Sequence, residues 1–251
     1  MHRHVVSSAM SLLLLSTTSA AFAQTGVSDD RVSLPDGPGS LDGIGDNASV
    51  DANMGQMSTS VKIRVPGGYA GVTPELALAY SSGGGGGMLG TGWSMSLPFI
   101  ERMTSKGLPD YDDDDRFVFG GSEQLVRIDE QSDTDVAVYR ARFEGAFVRY
   151  KWHDRGNGDE GHWTAESPDG TVTTFGADFD GTPNESTRVR SPDGIFRYLA
   201  KETQDAWGHR MTYSYQTLGG KPYIETIAYV IDDEGTAGQR VVFTYEERDD
   251  K

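Results

Sequence analysis

The chain contains no cysteine, and its 251 residues include 22 lysines and arginines against 38 aspartates and glutamates. Without cysteine, neither disulfides nor thiolate-held zinc can stabilise the fold. The formal net charge of −16 leaves no basic face for nucleic acid or anionic lipid, because like charges repel each other. We therefore expect no nucleic-acid partner and a fold that depends on an ordinary buried core.

Long apolar runs are equally scarce, and the one near the N-terminus is too short to span a bilayer. It lies within residues 1–23, where Arg3 precedes the run SLLLLS and Ala21-Phe22-Ala23 offers a small-residue cleavage site. This order is typical of a secretory signal peptide, and the alternative is an apolar tail without structure. We predict Sec-type export with periplasmic transit to an extracellular or cell-surface location, and no membrane insertion.

Residues 24–57 contain few large apolar side chains and are rich in glycine and aspartate. The stretch DGPGSLDGIGD superficially resembles Gly-Asp calcium repeats, but it lacks their nonapeptide period. Segments of low hydrophobicity cannot bury enough apolar surface to order themselves. We predict a flexible leader over 24–57.

Helical periodicity is also missing, and from residue 58 onward apolar and polar residues alternate with a period of two. STSVKIRVP and PELALAYS both alternate in this way, and the Pro-Gly-Gly stretch between them predicts a hairpin. Further strands rich in Val, Thr, Tyr and Phe are predicted at 116–120, 123–128, 136–143, 146–152, 162–167, 171–176, 194–200, 210–216, 223–231 and 240–247. The predicted fold class is therefore all-β, with antiparallel strand-turn sheets.

Two copies of Ser-Pro-Asp-Gly, at 167–170 and 191–194, each lead into a predicted strand. Proline presets φ at the second turn position and glycine accepts a left-handed fourth position, so both copies predict tight turns. Their recurrence indicates a repeated strand-turn unit in which each strand buries a face on the next. No cap follows the last strand, which predicts an exposed edge and a polypeptide that continues past residue 251.

Five consecutive glycines, at 83–87, follow the strand that ends near Tyr80. A phosphate-binding loop needs a following Gly-Lys-Ser/Thr and a helix, and both are missing. Large apolar residues on either side argue against a flexible linker. We predict a structural loop, in which Gly90 and Gly92 take unusual backbone conformations that let Trp93 dock under the sheet.

The acidic run Asp112, Asp113, Asp114 and Asp115 is a calcium candidate, because hard cations prefer carboxylates clustered on a loop. The spacing of an EF-hand is missing, since neither its glycine nor its final glutamate is present. The alternative is an acidic turn whose side chains accept backbone N–H groups before the strand at Phe117. We favour the turn and expect no cofactor apart from this calcium possibility.

Motifs of catalysis are missing as well, since the sequence has neither HExxH nor GxSxG. His153, His162 and His209 lie on different predicted elements without paired spacing, which argues against a zinc site. A glycoside hydrolase that uses two facing carboxylates stays open as an alternative, because any two of the 38 acidic residues could meet across a cleft.

A secreted β-sandwich that binds carbohydrate is the other alternative. Exposed Trp152, Trp163 and Trp207 could stack on sugar rings. The competing interpretation of these tryptophans is that they pack in a core, which is the commoner fate of a large aromatic side chain.

A long and idiosyncratic set of residues runs from the first hairpin to the strand after the acidic run. It comprises Leu76, Leu78, Tyr80, Ser82, Gly90, Gly92, Trp93, Leu97, Gly107, Leu108, Pro109, Tyr111, Asp112, Asp113, Asp115 and Phe117. In these residues the chain, over about 55–128, resembles the N-terminal region of SpvB-type proteins and of the B components of insecticidal toxin complexes. Downstream, WTAESPDGTVTTFG and DAWGHRMTYSY resemble the strand-turn units of Rhs/YD-repeat proteins.

The resemblance implies sheets of a shell or cocoon type, with residues 58–251 as an incomplete scaffold domain at the front of a larger repeat protein. It implies partners among other toxin-complex or Rhs shell components, and a toxic cargo. The ADP-ribosyltransferase of SpvB lies at its far C-terminus and needs a Glu-x-Glu, which this chain lacks. We therefore predict a non-catalytic segment in which the following residues are structural: Tyr80, Gly90, Gly92, Trp93, Gly107, Pro109, Tyr111, Asp113 and Phe117. The signal peptide departs from many toxin-complex B components and favours a secreted or surface relative.

Overall fold

Strands make up almost all of the regular structure, as the alternating pattern predicts. The computed structural model describes residues 48–51, 55–112, 114–133, 135–154, 156, 161–232 and 234–246. Within these ranges, helix occurs only as three single turns of 3-10 type, Tyr69–Gly71, Asp129–Gln131 and Glu185–Thr187. The predicted all-β class is confirmed, whereas the signal peptide and most of the leader lie outside the described residues.

A small antiparallel sheet comes first in the chain. It has the order β1-β2-β3-β6 and consists of β1 (Ser49–Asp51), β2 (Gln56–Ile63), β3 (Leu76–Ser81) and β6 (Trp93–Met95). The predicted hairpin is confirmed, because β2 pairs with β3 with Val61 opposite Leu78. Two short strands, β4 (Gly86–Gly87) and β5 (Gly90–Thr91), form a separate ribbon. Strand β1 and the start of β2 fall inside the range predicted to be a flexible leader.

Eight strands then close into a barrel. Its strands are β7 (Phe99–Arg102), β8 (Phe117–Phe119), β9 (Glu123–Arg127), β10 (Val136–Ala141), β11 (Arg149–His153), β12 (His162–Glu166), β13 (Val172–Phe175) and β15 (Gly194–Gln204). Strands β7 to β13 pair in chain order, and β15 closes the ring by pairing with both β7 and β13. Closure leaves these strands without a free edge.

Strand β15 is 11 residues long, and it also begins an extension outside the ring. The additional strands are β14 (Arg188–Ser191), β16 (Arg210–Leu218), β17 (Lys221–Ile231) and β18 (Ala237–Val242). β14 pairs with the first half of β15, and β16 pairs with its last residues. The order β15-β16-β17-β18 leaves β18 at the edge, where the sequence predicted the last strand, although β18 begins and ends earlier than predicted.

The two Ser-Pro-Asp-Gly segments form the predicted turns. Gly170 has a φ of +86° and donates its N–H to the carbonyl of Ser167 at 3.0 Å. In the second copy, Ser191 pairs with Gly194 across the turn between β14 and β15. Proline and glycine therefore set the register of both hairpins by their backbone preferences.

Aromatic side chains fill the barrel. Trp163 has an exposed fraction of 0%, and its ring lies 4.9 Å from those of Phe117 and Tyr139 and 5.3 Å from that of Trp152. Trp152 in turn contacts Tyr198 of the closing strand at 5.4 Å. An eight-stranded ring encloses space that side chains alone can fill, so the barrel is a solid core.

We predict that Trp163→Ala lowers the free energy of unfolding by about 3 to 5 kcal/mol, because it leaves a cavity at the centre of the barrel. The matched control is Trp207→Ala, since Trp207 is 75% exposed and its removal should change stability by less than about 0.5 kcal/mol. Urea titration followed by circular dichroism measures both. Equal losses in the two variants would contradict the packing described.

Candidate functional site

A buried arginine organises the loop that joins β7 to β8. Arg102 is the last residue of β7, and its side chain is 10% exposed. Its Nη1 forms an ion pair with Oδ2 of Asp115, and its Nε donates to the carbonyl of Ile195 at 3.1 Å. The arginine therefore ties the acidic run to the start of the closing strand β15.

Asp115 also organises the backbone of this loop. Its carboxylate accepts the N–H of Asp110 at 3.1 Å and the N–H of Tyr111 at 2.8 Å. A carboxylate held by two backbone donors and one guanidinium is well satisfied in a site that is nearly closed to water. The same carboxylate is unsuited to a second cation, because Arg102 already compensates its charge.

Two aromatic rings cover the guanidinium. The carbon Cζ of Arg102 lies 5.0 Å from the ring centre of Tyr111 and 5.1 Å from that of Phe117, distances at which cations and aromatic faces attract. Tyr111 has a φ of +60°, and a Cβ at Gly194 would lie 2.7 Å from its ring. Glycine at 194 is thus required by the close approach of Tyr111.

Two members of the acidic run, Asp112 and Asp115, accept backbone N–H groups, as the turn interpretation predicts. The carboxylate of Asp112 accepts the N–H of Asp114 at 3.0 Å, while Asp113 lies outside the described residues. Among the side chains that the structure describes, no three acidic or histidine groups converge as metal ligands. Gly107, at a φ of +139°, donates to the carbonyl of Thr104 at 3.3 Å in the turn before Pro109.

The glycine loop packs tightly against the end of β3. Gly92 has a φ of +78°, and a Cβ there would lie 2.7 Å from the ring of Tyr80. Its N–H donates to the carbonyl of Gly85 at 3.0 Å, and Gly90 has a φ of +104°. Trp93 follows in edge strand β6, half-buried, with its ring 5.2 Å from that of Tyr80. Trp93 thus packs beside Tyr80, and its docking under the sheet stays a prediction.

The three tryptophans of the carbohydrate-binding alternative do not share a surface. Trp163 is fully buried and Trp152 partly buried, and their rings contact each other inside the barrel. Trp207 alone among them is exposed. The expectation of an exposed tryptophan platform is therefore wrong, because closure of the barrel turns the face of β11 and β12 that carries these two residues inward.

Two histidines stack at one end of the β11–β12 pair. The rings of His153 and His162 lie 4.6 Å apart with an interplanar angle of 10°, and Nε2 of His153 hydrogen-bonds to Oγ1 of Thr164 at 2.9 Å. Burial lowers the pKa of His153, the nearby Lys151 lowers it further, and Glu166 acts in the opposite direction. Sequence reasoning placed these histidines on separate elements, and pairing of β11 with β12 brings them together.

The family model described as Salmonella virulence plasmid 65kDa B protein, or SpvB, matches residues 51–236 of the chain. The chain belongs to the SpvB family. Among curated proteins, the mono(ADP-ribosyl)transferase SpvB of Salmonella typhimurium is 30% identical over 172 residues, which cover 60% of this chain and 28% of that protein. The chain therefore matches a little over a quarter of the length of its curated SpvB relatives.

Solved structures share the SpvB fold over most of the chain. The N-terminal domain of the effector SpvB from Salmonella typhimurium strain LT2 has a TM-score of 0.56 and 26% identity, covering 67% of this chain and 63% of that one. TcdB2–TccC3 has a TM-score of 0.67 at 24% identity, covering 88% of this chain and 12% of that one. The Tc holotoxin pore of Photorhabdus luminescens has a TM-score of 0.65 at 23% identity, covering 78% and 11%. At these identities, the matches to TcdB2–TccC3 and to the holotoxin pore show that the fold is shared.

The SpvB match falls on an N-terminal domain and not on the transferase region of SpvB. This chain is therefore a non-catalytic structural segment. The signature residues Tyr111, Asp115 and Phe117 act together around Arg102, which the sequence did not single out. The sequence offered only a weak sign of this role, because Arg102 is a charged residue at an inward position of strand FIER.

We predict that Asp115→Asn lowers the free energy of unfolding by about 3 to 5 kcal/mol, because it leaves the guanidinium of Arg102 buried without a countercharge. Asp114→Asn is the matched control in the same loop and should change stability by less than about 0.5 kcal/mol. Replacing Arg102 as well, as Arg102→Met with Asp115→Asn, removes the uncompensated charge, keeps a side-chain acceptor at 115 and should recover much of the loss. Urea titration checks the set, and a double variant less stable than Asp115→Asn would contradict the ion pair as the cause.

We also predict that acid weakens the fold through His153. The pKa of His153 is depressed in the folded state, so the unfolded chain binds the proton more readily, with an ordinary histidine pKa of about 6.5. Stability is therefore complete above about pH 6.5 and falls as the pH drops from there towards the folded pKa. Urea midpoints at pH 7.5 and 5.5 measure the fall, and His153→Phe, which keeps a stacked ring, should reduce it. An unchanged fall in that variant would refute this origin.

Proposed function

We propose that this segment is wall material of a secreted toxin shell, which encloses or presents a toxic cargo. The observation that carries the proposal is the coverage of the fold match: 88% of this chain corresponds to only 12% of the TcdB2–TccC3 chain. A module of this kind is used inside a much larger polypeptide. Its solid barrel has no room for cargo, so its contribution is to the wall and not to a container of its own.

The edge strand β18 supports growth of the wall. Phe243 donates to the carbonyl of Glu225 at 2.9 Å, and the alternation of an antiparallel ladder then directs the N–H of Val242 away from β17. Val242 is 65% exposed, and β18 has no second neighbour among the described residues. Such an edge is a template for a further strand, which fits our proposal that Rhs/YD-type strand-turn units follow.

The turn before β16 supports the same proposal. In the segment DAWGHR, the carboxylate of Asp205 accepts the N–H groups of Trp207 and His209, both at 2.9 Å. An aspartate that closes the turn in this way makes a compact strand-turn unit from local contacts alone. A unit whose turn depends only on its own residues can be repeated along a chain, because it needs no particular residues in the neighbouring strands.

Exposed aromatic residues support contact with other shell components. The loop between β10 and β11 carries Phe143 and Phe147, which are 83% and 65% exposed. Phe147 has a φ of +55°, and Arg140 donates to its carbonyl at 3.1 Å. Exposed aromatic residues and a strained backbone position, here that of Phe147, are features of interaction surfaces. We propose that this loop meets another part of the shell or its cargo.

Export is part of the proposal. We propose that residues 1–23 direct Sec-type secretion through the periplasm to the outside or the cell surface. No helix of the described residues is long and apolar enough to cross a bilayer. The mechanism is mechanical: closed and paired strands withhold a cargo from water and proteases.

The test uses the full-length polypeptide that contains this chain. We expect electron microscopy to show a hollow shell and trypsin to cleave the polypeptide downstream of residue 251 slowly. Val242→Pro removes the outward N–H at the edge and should expose the downstream segment to trypsin, with at least about tenfold faster cleavage. Val242→Thr keeps the N–H and the β-branched shape, and is the matched control. A compact particle without an interior, or equal cleavage in all three proteins, would refute the proposal.

A further inference from the structure

The extension β16–β18 has one buried and one open face. Met211, Tyr213 and Ile227 pack into the core. The opposite face forms a cavity of about 430 Å³, whose polar lining consists of Arg210, Thr212, Ser214, Thr226 and Arg240. The turn between β17 and β18 borders it through Ile231, Gly235 and Ala237. The cavity is therefore a shallow basin on a sheet face, bounded at one end by a turn.

The strand register brings the two arginines to this basin from different strands. Thr212 lies opposite Ala228, and Ala228 lies opposite Arg240. Arg210 precedes Thr212 by two residues on β16, so its Cα is about 12 Å from that of Arg240 at ordinary strand spacings. Two extended arginine side chains can reach a common ligand across this distance, and small side chains between them leave the space open.

The charge of the basin is opposite to that of the chain. No carboxylate lines it, although acidic residues outnumber basic ones by 38 to 22 overall. By contrast, the cavity beside β7 and β9 is lined by Glu101 and Glu123 together with Arg142. That of the acidic loop is lined by three aspartates together with Lys106 and Arg116. Against an acidic background, this basin is a local site of positive potential.

Within the described residues, its donors form no ion pair or side-chain hydrogen bond. Neither Arg210 nor Arg240 forms an ion pair with a described carboxylate. The hydroxyl groups of Thr212, Ser214 and Thr226 make no hydrogen bond to the residues that the structure describes. The basin therefore presents two guanidinium groups and three hydroxyls, all able to donate to one ligand.

Glu202 and Asp232 lie near the basin without lining it. Glu202 lies opposite Thr212 on β15. Burial raises the pKa of Glu202, while the charges of Arg210 and Lys201 lower it. Its carboxylate does not line the cavity. Asp232, in the bordering turn, accepts the N–H groups of Glu234 and Thr236 at 3.1 Å and 2.6 Å and does not line the cavity.

We propose that this basin binds a tetrahedral oxyanion, the phosphate or sulfate group of an ester, between Arg210 and Arg240. Guanidinium groups match the oxygens of such anions in geometry and charge. The hydroxyls of Thr212, Ser214 and Thr226 supply further donors to a ligand that only accepts. The inference goes beyond the shell function and does not depend on it.

Nuclear magnetic resonance titration of the 251-residue chain tests the site at pH 7 in low salt. The probes are inorganic phosphate and sulfate, then glucose 6-phosphate and glucose 6-sulfate, with glucose as the neutral control. We expect saturable shifts of the amide signals of β16 and β17 around Thr212 and Thr226, with a dissociation constant on the order of 1 to 10 mM. The two esters distinguish a phosphorylated source from a sulfated one, and binding should weaken as sodium chloride is added.

Arg240→Gln and Arg210→Gln should each weaken binding at least about fivefold. Arg127→Gln is the matched control, because Arg127 is an exposed strand arginine elsewhere that pairs with Asp129. Arg240 lies exposed on the edge strand, so its variant keeps the test valid if Arg210→Gln fails to fold. Shifts that do not saturate, that arise away from β16–β18, or that are equal in Arg240→Gln and Arg127→Gln would each overturn the proposal.

Discussion

The double pairing of β15 is the constraint on which the rest of the structure depends. Residues 197–199 of this strand pair with β7, while residues 200–204 pair with β13. That arrangement closes eight strands into a ring. The other edge of residues 202–204, which faces away from β13, pairs with β16. The barrel and the extension β16–β18 thus share one strand.

Polar residues hold this arrangement together where the apolar core ends. Arg102 links β7, the acidic loop and the beginning of β15, through contacts to Asp115 and Ile195. Its low exposure makes the pair costly to break. An acidic run that suggests cation binding is used in part to complete this network. Asp205 has a similar structural role, since its carboxylate closes a turn before β16.

Different parts of the protein differ in charge and in the kind of side chain that they present. The barrel is packed with aromatic side chains, the loop at Phe143 carries exposed aromatic surface, and the face of β16–β18 carries donors in an otherwise acidic protein. None of these features requires a reactive side chain, which agrees with a structural segment of the SpvB family.

Much of the fold could be predicted from local patterns. Alternation predicted β2, β3 and most strands of the barrel, and Ser-Pro-Asp-Gly predicted its turns, because both signals act between residues close in sequence. The short strands β6, β7 and β14 were missed, since three or four residues carry too little alternation to be recognised. Trp163 was left with two interpretations, because a strand pattern does not say which face becomes the inside of a ring.

The sequence by itself determined the all-β class, the hairpins and turns, and the family, because these depend on composition, period and motif spacing. Only the tertiary structure decided the closure of β13 on β15, the inward face of β11 and β12, and the partner of Asp115. The contact of Arg102 with Ile195 spans 93 positions. Contacts of that kind arise from strand order, which no local pattern specifies, so they could be known only once the sheet had closed.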